Sequence, residues 1–133
     1  MDWWRIRIDP LPLPRRLIAR ADEQAGPGGP SLRLCLPLIP DGRISLPLFR
    51  AEPWRARFLF LEPERGKASG GGRIELRDHQ WFCIRSPRGG AAVPDLRIIG
   101  ARFAPGEVIG LRPVQGVIEL YRVNERAPVP LPR

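Results

Sequence analysis

Hydrophobic residues recur at every second position in this chain, and that period constrains the fold more than any other feature. Leu32, Leu34, Leu36 and Leu38 alternate with Ser31, Arg33, Cys35 and Pro37. Trp4, Ile6 and Ile8 alternate with Trp3, Arg5 and Arg7; Trp54, Ala56, Phe58 and Phe60 with Arg55, Arg57, Leu59 and Leu61; Ile74 and Leu76 with Arg73, Glu75 and Arg77. Successive side chains of a strand point to opposite faces, so each run presents one apolar and one mostly polar face. Turn-forming pairs separate the runs: Asp41-Gly42, Glu62-Pro63, Asp78-His79, Gly89-Gly90 and Gln115-Gly116. About eight short strands at this spacing predict an all-β, mainly antiparallel fold, a small irregular barrel or sandwich.

Leu, Ile, Val and Phe make up 38 of 133 residues, above the level of disordered chains. The length suits one domain. The reading is a single β domain over residues 1–126, followed by a Pro-rich tail over 127–133 that extends like polyproline. The glycine-rich stretches 26–30 and 66–72 read as loops. Residues 14–25 carry Leu17, Ile18, Ala21 and Ala25 at helical spacing, with Pro14 at the start and Gly26 past the end; a short N-terminal helix and a strand both fit. Pro37, Pro47 and Pro113 fall in or beside strand-like runs and lack the ladder donor, which predicts edges or bulges there.

No run of apolar residues reaches the length of a membrane span, and the opening Met1-Asp2-Trp3-Trp4-Arg5 has neither the basic nor the apolar region of a signal peptide. The expectation is a cytoplasmic protein, or one associated with a particle after assembly, with no membrane partner. Cys35 and Cys83 are then expected as reduced thiols.

The chain offers little for catalysis. His79 is the only histidine, and with Cys35 and Cys83 it matches no metal-ligand spacing. A nucleophile beside a base would need His79 to serve Cys83, Ser69 or Ser86, and a histidine in a hairpin turn is better read as solvated. The stretch Arg65-Gly66-Lys67-Ala68-Ser69 lacks both the upstream glycine and the Ser or Thr after Lys of a phosphate loop. The carboxylates are scattered among arginines rather than paired for acid–base work. No enzyme activity, metal, cofactor or small-molecule substrate is expected.

The net charge is +8, and 21 of the 22 cationic residues are Arg. Thr is absent and Asn occurs once, the bias that GC-rich codons produce, so the charge is discounted by half as a sign of an anionic partner. The pattern of arginines remains. Arg33, Arg55, Arg57, Arg73, Arg77 and Arg85 fall largely on polar phases, with Trp54 and Trp81 nearby in sequence. Guanidinium groups for phosphates and indoles for bases are how a barrel face holds a single strand.

Residues 102–111 and 115–123, with Pro105-Gly106-Glu107-x-Val, a turn glycine at Gly116 and Tyr121-x-Val123, resemble the pattern that closes many small β-barrels, including proteins of phage head–tail joints. The resemblance implies a hairpin of 107–111 with 117–123 in which Tyr121 and Val123 share the face of Val117. It assigns no functional residue.

Two functions follow. The first is a non-enzymatic structural or interaction module that docks onto protein subunits of a larger assembly, phage-like or encoded by a mobile element, using strand edges and the tail. The alternative is a basic barrel that binds nucleic acid. The distribution of the arginines separates them: one contiguous face favours nucleic acid, and even scatter with acid pairing does not.

Overall fold

The computed structural model describes residues 2–11, 31–61, 68–85, 96–100, 102–113 and 116–129. Eight strands run in chain order: β1 (Asp2–Pro10), β2 (Ser31–Leu38), β3 (Arg57–Leu61), β4 (Ala68–Arg77), β5 (Gln80–Arg85), β6 (Leu96–Ile99), β7 (Val108–Pro113) and β8 (Glu119–Pro128). Each pairs antiparallel with the next, and β8 returns to β1, so the sheet is a closed up-and-down barrel. No helix among the described residues is long and apolar enough to cross a membrane.

Period two decides which residues fill the barrel. Leu32, Leu34, Leu36 and Leu38 are almost wholly buried, as are Ile6 and Ile8 on one side and Phe58 and Ile74 on the other. Each such side chain contributes about 1.5–3 kcal/mol by leaving water. An eight-stranded barrel is just wide enough for side chains to fill, so this interior is a packed core. In β1 the phase is less clean than the sequence implies. Trp3, on the outward phase opposite Pro37, is buried, and Trp4 is only half-buried.

The closed sheet corrects the expectation of edge strands. Pro37 is tolerated because β3 pairs with β2 only as far as Cys35. Past that point the Pro37 carbonyl accepts from Ser45 N at 2.8 Å, so the side on which its N–H is missing faces an irregular segment. Pro113 ends β7. Pro47 lies in no strand: it starts α1 (Leu46–Ala51), where a missing N–H costs nothing, and Ser45 Oγ caps the helix by accepting from Leu48 N at 3.4 Å. This helix was not foreseen, and the helix or strand expected over residues 14–25 lies outside the described residues. Trp54 and Arg55 belong to a 3-10 turn (Pro53–Arg55) rather than to β3.

Two glycine-rich expectations divide. Residues 26–30 lie outside the described residues. Of the stretch 66–72, Gly70, Gly71 and Gly72 are in β4 instead of a loop. Glycine is needed there for close approach: a Cβ on Gly72 would stand 1.9 Å from the Ile84 carbonyl oxygen. The tail boundary also moves. Ala127 and Pro128 close the β1–β8 seam opposite Arg5 and Trp4, and Val129 N donates to Trp3 O at 2.8 Å.

The β7–β8 hairpin forms, with Tyr121 and Val123 inward and Val117 exposed ahead of the strand. Asp78 and His79, both at positive φ (49° and 64°), make the two-residue turn between β4 and β5. The β2–β3 and β6–β7 connections share that end of the barrel. They are tied by Phe103 N donating to Gly42 O at 2.8 Å, with Gly42 at φ +95°. Phe49 of α1 and Phe103 are buried at this mouth.

Candidate nucleic-acid interface

The register of β1 to β4 brings arginines together on the outer wall. Arg5 stands opposite Cys35, Cys35 opposite Arg57, and Arg57 opposite Arg73. One row along, Arg7 stands opposite Arg33, Arg33 opposite Leu59, and Leu59 opposite Gly71. Of these eight positions five are Arg and none is acidic. All eight point away from the core, because their neighbours Ile6, Leu34, Phe58 and Ile74 point into it.

Charge in this block is only partly compensated. Arg7 Nε pairs with Asp9 at 3.1 Å, and Arg73 pairs with Glu75, both acids lying just outside the block. Arg57 Nε donates to the Trp54 carbonyl at 3.1 Å. Arg5, Arg33 and Arg57 have no carboxylate partner among the described residues. Like charges directly opposite on neighbouring strands destabilise a sheet, and Arg7–Arg33 and Arg57–Arg73 are two such pairs. An anion lying along the block would relieve both. Cys35, in the middle, remains a thiol: burial raises its pKa above the ordinary value, outweighing the nearby Arg55 and Arg5.

Trp54 borders the block. Its indole is 64% exposed, and its backbone is held by the bond from Arg57. Arg77 extends the positive wall along β4 and shares Glu75 at 3.3 Å.

Arg55 lies beside the block, near Cys35, and is engaged there: its guanidinium is 4.8 Å from the Trp3 ring, which takes the outward phase, and is bonded to Glu52 at 2.9 Å. The other two residues singled out in the sequence lie elsewhere. Arg85 is on the inward phase of β5 at the far mouth, over the Phe60 ring at 4.6 Å. Trp81 also takes the inward phase, two residues before buried Cys83, and meets Phe49 edge-on at 4.7 Å. Arg5 and Arg7 were missed. Their alternation was visible, but only the β1–β2 register places them beside Arg33 and Cys35. Cys35 and Cys83 form no disulfide with each other and lie on opposite faces of the wall, Cys83 inward and Cys35 outward.

Compared with known proteins, the chain has no match: no family model, curated protein or solved structure is similar to it.

Proposed function

We propose that this protein is a non-enzymatic binding module that holds single-stranded nucleic acid by its phosphates on the outer face of β1–β4. The observation that carries the reading is the block of five arginines in two adjacent rows, with no acid among its eight positions. Guanidinium groups suit phosphate because each presents several donors in a planar fork. The exposed indole of Trp54 supplies a stacking platform at the border, and stacking is tolerant of sequence. A barrel wall with one aromatic and many cations fits backbone recognition better than base readout.

The test is binding of a fluorescent oligothymidylate over a salt series. Wild-type protein is expected to bind at about 0.15 M salt, above the polyanion attraction that any +8 chain shows. Changing Arg5, Arg33, Arg57 and Arg73 together to Gln should abolish it. Trp54→Ala, at an exposed site, should cost roughly 1–3 kcal/mol with the fold intact. Binding that vanishes by about 0.15 M salt in the wild type overturns the reading.

A second reading, docking onto a protein subunit of a larger assembly, is favoured by one observation. Val108, Val117, Ile118 and Leu120 on and beside the β7–β8 hairpin are 44%, 84%, 41% and 50% exposed. Clustered exposed apolar residues mark contact surfaces. Light scattering over a concentration series tests whether the occupant is a second copy: Leu120→Asp should then dissolve any dimer, and a monomer at all concentrations excludes that occupant.

A further inference from the structure

A cleft of about 390 Å³ opens at the mouth of the barrel that carries α1. Ligand clefts run from roughly 300 to 1,000 Å³, so this one suits a single small group. Ile44, Leu76 and Trp81 give it an apolar floor, and Arg43, Arg50 and His79 stand around it. None of the described lining residues is acidic. Arg43 is engaged with Asp41 at 3.4 Å. Arg50, exposed in the last turn of α1, has no carboxylate partner among the described residues. His79 sits at φ +64° in the second position of its turn, where Gly is the unstrained choice. That turn places an exposed imidazole at the rim. The Trp81 ring is held edge-on by Phe49 at 4.7 Å, an interplanar angle of 88°, so its orientation is set by packing.

We propose that this cleft is a subsite for one phosphate-bearing nucleotide, with the phosphate between Arg50 and His79 and the base over Trp81 and Leu76. A planar apolar body requires the floor, and an anionic group requires the two unengaged donors at the rim. The choice of a nucleotide over other planar anions rests on the reading of the arginine block. The same chemistry comes from a free mononucleotide or from the phosphorylated end of a strand, and the experiment separates them.

Oligothymidylate carrying a 5′-phosphate, a 3′-phosphate or neither is titrated by fluorescence anisotropy at about 0.15 M salt. In parallel, CMP, AMP and inorganic phosphate are titrated while the backbone amides of Arg50, His79 and Trp81 are followed by NMR. A terminal phosphate is expected to tighten binding roughly tenfold to a hundredfold, the scale of one charge-assisted hydrogen bond. Arg50→Gln with His79→Asn should remove that gain and leave the unphosphorylated strand bound as before; both side chains are exposed, and Asn tolerates the positive φ at position 79, so the fold is kept. Arg57→Gln with Arg73→Gln should weaken all strands alike, which separates the block from the cleft.

If mononucleotides shift the amides but a terminal phosphate gives no gain, the ligand is the free nucleotide. If no oligonucleotide binds, the reading of the block fails and the mononucleotide arm alone decides the cleft. The proposal is overturned if neither a terminal phosphate nor a mononucleotide has an effect. It is also overturned if the phosphate gain survives in the Arg50/His79 variant, or if inorganic phosphate reproduces every shift.

Discussion

Arg57 on β3 and Arg73 on β4 face each other directly across the outer wall of the barrel, two like charges in register. Such a pair costs stability in the free protein, and it is repeated one strand pair away by Arg7 and Arg33. Changing Arg57 to Gln should therefore hold or raise stability, by up to about 1 kcal/mol. Binding should weaken in the same variant. For Arg57→Gln with Arg73→Gln, the slope of log K against log salt should fall by roughly 1.4, about 0.7 for each lost single-strand phosphate contact. Urea denaturation and a salt series on one sample measure both; a drop in stability without a change in slope would assign the pair a structural role.

Gly72→Ala should destabilise the barrel by roughly 1–3 kcal/mol or more, the range for forcing extra atoms into a packed site. The added carbon would stand 1.9 Å from the Ile84 carbonyl oxygen and 2.8 Å from the Arg85 Cα, both backbone atoms of β5 that cannot swing aside. Chemical denaturation reads the loss as a lower midpoint.

Asp9 gives the fold an acid-sensitive point. Its carboxylate, on β1, accepts from Ser31 on β2, from Asn124 on β8 and from Arg7 at 3.1 Å. Partial burial alone would raise its pKa, but these bonds outweigh burial and hold it below the ordinary 3.8. A carboxyl with a lower value folded than unfolded stabilises the fold fully above the unfolded value, and the contribution is lost as pH falls through the folded value. The loss therefore begins near pH 3.8 and is completed below it. Asp9→Asn should lower stability at pH 7 and flatten its decline below pH 4, measured as denaturation midpoint against pH.

Removing the chain from Ala127 onward should lower the melting temperature. The cut deletes the pairing of Ala127 with Arg5 and of Pro128 with Trp4, and the Val129–Trp3 hydrogen bond. At about 1 kcal/mol per hydrogen bond the expected loss is roughly 1–2 kcal/mol. A truncated protein that melts with the full chain would place the tail outside the barrel, as its prolines first imply.

Alternation made the fold class readable, because a Leu row such as Leu32 to Leu38 is buried on one side in a barrel and in a sandwich alike. Closure was not readable. It depends on β8 finding β1, a pairing between segments with no shared local signal. The glycines 70–72 show a similar limit: composition reads them as a loop, while the tight crossing of β3, β4 and β5 requires them in a strand. Three of the five arginines of the binding block could be taken from polar phase alone, namely Arg33, Arg57 and Arg73. Arg5 and Arg7 needed the register. Trp81 and Arg85 were misplaced because proximity in sequence does not distinguish the two faces of one strand.

The contact between Asp9 and Asn124 spans 115 positions of the chain. During synthesis β1 is among the first strands to emerge and β8 the last, so β1 exposes one row of unpaired backbone groups until translation of the barrel is nearly complete. Open strand edges recruit other chains. The nascent barrel is therefore most prone to aggregation just before β8 is made, and slowing translation through the β8 codons should harm its yield more than slowing it through those of β2.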